Sequence, residues 1–108
     1  MISDQHHFVM KVQGKSMNQA GINDGDMIVL RAQMTAESGD IVAAEIGGVD
    51  VHRATLKRYS VRAKTVTLKA ESDDPEFEDK EWDFKPSSEN TRDGFFVRGI
   101  AVAVLKPL

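Results

Sequence analysis

Cysteine is absent from this 108-residue chain, which excludes disulfide staples and thiolate metal sites and fits a reducing compartment. No apolar run approaches the length that spans a bilayer, and residues 1–7 carry an acid and two histidines where a secretory signal would place basic and then apolar residues. A soluble, cytoplasmic domain with no membrane attachment is therefore expected. Basic clusters interleaved with aromatics are missing too, so no direct contact with nucleic acid is expected through this chain. Sustained helical periodicity is lacking beyond one turn over residues 16–20, and there are no internal repeats or low-complexity tracts.

What is present is the composition of an ordinary globular protein, 41% apolar and 29% charged, at a length that supports one domain over residues 1–108. The net charge of −3 is unevenly spread. Residues 71–83 hold eight acids against one lysine, a net of −7, which leaves the rest of the chain at +4. That acidity reads as a solvated loop around Pro75, with Trp82 and Phe84 expected to pin it to the body. The cluster Asp73-Asp74-Pro75-Glu76 lacks the ligand spacing and internal glycine of a calcium loop. His6, His7 and His52 lack partners at metal-ligand spacing, so neither a metal nor another cofactor is expected.

Short apolar segments and turn residues predict a mainly β fold. Strands are expected over residues 7–13, 27–30, 41–46, 49–59, 65–68 within the segment 61–70, and 95–105. Residues 21–26, Gly-Ile-Asn-Asp-Gly-Asp, form a turn that feeds the second strand. Gly47-Gly48 signals a hairpin into the strand that carries Lys57, whose length calls for a bend or bulge near Arg53-Ala54. Gly99 punctuates the closing strand.

Two residues carry the chemistry. Ser16 follows a glycine in Gly14-Lys15-Ser16-Met17, and Lys57 lies in Thr55-Leu56-Lys57-Arg58 on a half-buried strand. A serine hydroxyl needs a base to become a nucleophile, and an amine serves as that base once burial lowers its pKa. Ser16 is thus the candidate nucleophile and Lys57 the candidate base. The backbone amides of Lys15 and Ser16, in a turn that Gly14 permits, are the candidate oxyanion donors. Asp24 and Asp26 are candidates for orienting the loop. The bland alternative is that Ser16 caps a short helix and Lys57 is a solvated strand residue.

In their order these segments resemble the peptidase domain of LexA-type repressors, UmuD mutagenesis proteins and phage repressors. Val12-Gln13-Gly14-Lys15-Ser16-Met17 is similar to the family's Val-x-Gly-x-Ser-Met segment. Residues 21–30 resemble its Gly-Ile-x-Asp-Gly-Asp turn and strand. Residues 39–44 match Gly-Asp-Ile-Val-x-Ala, residues 55–58 its Thr-Val-Lys-Arg run, and residues 95–104 its closing pattern. The resemblance covers nearly the whole chain and implies twisted sheets of short strands, as in LexA and signal peptidases. It further implies a serine endopeptidase with a Ser16–Lys57 dyad, supported by Gly14, Met17, Asp24, Asp26 and Thr55, that carries out self-cleavage of a LexA-like repressor or UmuD-like protein in the DNA-damage response and so regulates transcription. A RecA-type filament is the implied partner. A homodimer through residues 95–105 is expected from that strand's apolar surplus and from the relatives.

The chain departs from the family between residues 49 and 53, where it looks longer, and in having no upstream Ala-Gly or Cys-Gly bond; Ala20-Gly21 lies after the serine. The cleavage region and a DNA-binding domain are therefore expected to be absent, leaving the catalytic domain alone. Two other readings remain open. One is a non-cleaving dimerisation and docking module. The other is a type I signal peptidase, which should bring membrane anchors.

Overall fold

The computed structural model describes residues 6–46, 54–63, 65–74, 82–84 and 95–108. Seven strands make one sheet: β1 (His7–Lys11), β2 (Met27–Ala32), β3 (Ile41–Ile46), β4 (Thr55–Arg62), β5 (Thr65–Lys69), β6 (Trp82–Phe84) and β7 (Phe95–Leu105). Their order across the sheet is β1-β2-β7-β3-β4-β5-β6, with every neighbouring pair antiparallel. Among the described residues the helical content is one 3-10 turn, Asn18–Ala20. The mainly β expectation holds, as does the single turn of helix after Ser16.

Burial explains why these runs are apolar. Side chains alternate between faces along a strand. In β3, Val42 and Ala44 enter one core cluster with Tyr59, Val66, Leu68, Phe95 and Val97. Ala43, between them, enters a second cluster with Val12, Met17, Ile22, Ile28, Leu30 and Leu56. A strand buried on both faces reads as a continuous apolar run rather than an alternating one. In the first cluster Tyr59 and Phe95 meet edge to face, with ring centroids 6.3 Å apart.

The closing strand β7 is internal rather than an edge. It pairs with β3 through Phe95 to Ile100 and with β2 through Gly99 to Leu105. Its register shifts against both neighbours, between Ala43 and Ala44 on β3 and between Val29 and Leu30 on β2, so the bulging is concentrated here. Gly99 sits at the crossing point. A Cβ at that position would lie 2.8 Å from the Arg31 carbonyl oxygen and 3.1 Å from the Phe8 ring, which no side chain fits.

The bend expected near Arg53-Ala54 and the hairpin at Gly47-Gly48 fall at or beyond the described residues. From Thr55 onward β4 pairs with β3 without a register shift, placing Lys57 opposite Val42. β4 runs on to Arg62 and returns as β5 through Ala63, whose φ of 48° is left-handed. The acidic segment contributes β6, which pairs with β5. The side chains of Trp82 and Phe84 lie outside the described residues.

Candidate active site

Ser16 is positioned by a turn locked at both ends. Past β1 the chain stays paired: the Val12 amide donates to the Asp26 carbonyl at 2.8 Å, and the Gly25 amide to the Val12 carbonyl at 2.9 Å. Gly14 then adopts φ +90°, with nothing within 4 Å of where a Cβ would lie, so glycine serves here for its backbone freedom and not for space. Its amide donates to Asp24 Oδ1 at 2.8 Å. Following the serine, Met17 and Ile22 are buried at 2% and 1% exposure and plug the turn into the second core cluster.

On the base side, alternation along β4 puts Thr55, Lys57 and Tyr59 on one face and Leu56 on the other. Lys57 is 4% exposed, an unusual depth for an ammonium. Its Nζ donates to Thr55 Oγ1 at 2.9 Å and to the Leu56 carbonyl at 3.1 Å, and lies 3.4 Å from Ser16 Oγ. Burial pulls its pKa from the ordinary 10.5 down to about 8, because desolvation penalises the charged form. A neutral amine has two N–H donors and one lone pair. The Leu56 carbonyl can only accept and Thr55 can accept, and a neutral amine at this distance is chemically able to take a proton from the Ser16 hydroxyl.

The structure thus brings Ser16 and Lys57 together, with Thr55 beside the lysine. Gly14 and Asp24 shape the turn, and Met17 anchors it from the core. Asp26 acts at the far end of the 21–26 loop. Its Oδ2 accepts from the Asn23 amide at 2.8 Å and pairs with the Lys106 ammonium, which also reaches the Gly21 carbonyl. Lys106 and the Asn23 amide hold the Asp26 carboxyl below the usual carboxylate value. The amides of Lys15 and Ser16 have no acceptor among the described residues, whereas that of Gly14 is committed to Asp24.

A cleft of about 520 Å³ opens beside Ser16. Phe8, Met10, Val12, Thr55 and Leu56 are among the residues that line it. Glu45 and Arg98 also border it and form an ion pair at 3.0 Å.

Sequence reasoning missed the support from beyond β5. The Glu71 amide donates to the Ser16 carbonyl and the Glu71 carbonyl accepts from the Gln19 amide, both at 2.8 Å. Asn18 and Asp73 bond reciprocally, side chain to side chain at 2.8 Å and amide to side chain at 3.1 Å. These partners are separated from the turn by some fifty residues of chain, and no local pattern signals them. The one sequence cue is the polar run that begins where the alternation of β5 stops.

The sequence model of the Peptidase S24-like family matches residues 1–91. Among curated proteins, a LexA repressor of Ralstonia pickettii (strain 12J) is 37% identical over 107 residues, 99% of this chain and 44% of its own length. A LexA repressor of Cereibacter sphaeroides (strain ATCC 17029 / ATH 2.4.9) is 48% identical over 67 residues, 62% of this chain and 28% of that protein. One of Ruegeria sp. (strain TM1040) is 44% identical over 68 residues, 63% of this chain and 27% of that protein. The chain spans less than half the length of each of these relatives. With most of its length matched by the family model, the chain belongs to the S24-like peptidase family.

Proposed function

We propose that this chain is a serine endopeptidase domain working through a Ser16–Lys57 dyad and cleaving a LexA-like or UmuD-like polypeptide. The observation that carries the reading is the buried Lys57 amine, its pKa lowered to about 8, 3.4 Å from Ser16 Oγ. Neutral Lys57 takes the serine proton as Oγ attacks the scissile carbonyl. The resulting ammonium then protonates the leaving amine, and water resolves the acyl-enzyme by the same base. The Lys15 and Ser16 amides are suited to receive the oxyanion, since in the Gly14 turn neither has an acceptor among the described residues. The 3.4 Å separation is long for a hydrogen bond, as is common before substrate closes the site.

The relatives are repressors by name, which brings transcription regulation into the proposal. We place the domain in a DNA-damage switch that responds to a RecA-type filament, in the cytoplasm. The expected homodimer has a specific support in β7. Its pairing with β3 stops at Ile100, so among the described residues nothing pairs with that edge of residues 101–105, and Val102 and Leu105 are 42% and 53% exposed. This surface equally supports the alternative of a non-cleaving dimerisation and docking module.

The test is turnover of a peptide spanning a relative's cleavage bond, supplied in trans. Ser16→Ala, Lys57→Ala and Lys57→Arg are each expected to abolish hydrolysis, the last because guanidinium stays protonated. Hydrolysis by Lys57→Ala at the wild-type rate would assign the base to another residue and leave the docking module as the better reading.

A further inference from the structure

We infer that Arg58 and Glu71 are positioning residues, an ion-paired clamp that fixes the Ser16 turn to the strand carrying Lys57. The inference rests on the dyad proposed above and adds to it what sets the distance between its two members. Arg58 is the next residue after Lys57 on β4, so its Cα cannot move without moving the base. Its Nε and Nη2 donate to the two carboxylate oxygens of Glu71 at 3.2 and 3.0 Å, a fork that fixes orientation as well as distance. Its Nη1 donates to the Gly39 carbonyl at 2.7 Å, which ties the guanidinium to the segment before β3.

Glu71 completes the link through its main chain. Its amide holds the Ser16 carbonyl and its carbonyl holds the Gln19 amide, so the residue grips the turn on both sides of Met17. Without this grip the chain after the Gly14–Asp24 bond is held by the Met17 plug and by a 3-10 turn of three residues whose N-terminus has no side-chain cap. Asn18 and Asp73 extend the same strap by one more residue pair. Arg58 and Glu71 side chains are 32% and 34% exposed, and a pair that exposed adds little to folding stability. Its larger effect is on geometry, because a displacement of about 1 Å between reacting groups can cost about 100-fold in rate.

The experiment is the rate at which a small fluorophosphonate forms a mass adduct on Ser16, measured against pH in the intact chain alongside thermal melting. Arg58→Ala and Glu71→Gln are expected to lower the high-pH plateau by about 10- to 100-fold, with the pH midpoint and melting temperature nearly unchanged. The double variant is expected to lose no more than the worse single one, as befits two halves of one device. Arg58→Lys, which keeps the charge but not the fork, should recover only part of the rate. Plateaus within about twofold of wild type would overturn the clamp. A midpoint that moves at constant plateau would overturn it too, since Arg58 would then act on Lys57 by charge. Melting temperature falling in step with the rate would reduce the pair to a structural role. Ser16→Ala and Lys57→Ala serve as controls. An undiminished Lys57→Ala rate would remove the dyad and the clamp with it, whereas a lost one leaves the Arg58 result to decide the clamp alone.

Discussion

Replacing Lys57 with methionine should make the protein more stable at neutral pH while removing its proposed base. Methionine matches the unbranched stem and fills the same buried space without a charge. The lysine pKa falls from 10.5 to about 8 on burial. At about 1.4 kcal/mol per unit, that corresponds to roughly 3 kcal/mol of folding free energy opposed by the charged form. The sign follows from proton counts. Between pH 8 and 10.5 the unfolded chain holds a proton that the folded one has released, so wild-type stability rises with pH through that window. Below pH 8 both states are protonated and the cost is present in full; above 10.5 both are neutral and it is gone. Methionine leaves Thr55 Oγ1 and the Leu56 carbonyl without a donor, which offsets about 1 kcal/mol per group. The variant is therefore expected to be about 1 kcal/mol more stable than wild type at pH 7 and less stable near pH 10.5. Guanidinium unfolding of both proteins at matched pH values reads the difference, with other titrating groups cancelling between them. A difference that stays constant between pH 7 and 10.5 would refute the burial argument.

Other consequences follow from single contacts. Lys106→Met should remove stability that is present at neutral pH and vanishes as pH falls through the depressed Asp26 value, because that carboxylate is held charged chiefly by Lys106; denaturant midpoints of the two proteins that never converge in acid would contradict this. Gly99→Ala should cost about 1–3 kcal/mol, since its Cβ would overlap the Arg31 carbonyl at 2.8 Å in an internal strand; an unchanged melting temperature would show that β2 and β7 can part there at little cost. Leu105→Lys should shift sedimentation from dimer to monomer if the edge of β7 at residues 101–105 is the pairing surface, and a dimer of unaltered affinity would place the interface elsewhere.

Much of the site could be read before the fold was known because its pieces are local. The glycine two residues before Ser16 announces a turn, and the half-buried strand around Lys57 announces its burial. The strands were legible for the same reason, as short apolar runs between turn residues. The β4–β5 return was harder to see, because Ala63 takes the left-handed conformation without being glycine or asparagine. The place of β7 was also hidden. Its apolar surplus suggested a dimer surface, but such a run equally suits a strand held between two neighbours, and pairing order is a long-range property. The strap at residues 71–73 and the Lys106–Asp26 pair were not legible for that reason: they join polar groups 52 to 85 residues from their partners, where each member alone looks like surface.

The most direct test of the central claim is the pH dependence of Ser16 reactivity. An ordinary lysine would be neutral in about one molecule in three thousand at pH 7, whereas one with a pKa near 8 is neutral in about one in ten, a gain of several hundredfold in competent base. The rate of fluorophosphonate adduct formation on Ser16 should therefore rise about tenfold per pH unit below neutrality and level off with a midpoint near pH 8, and Lys57→Met should abolish that dependence along with most of the rate. A wild-type profile that keeps climbing past pH 10, or one that Lys57→Met leaves unchanged, would contradict the account.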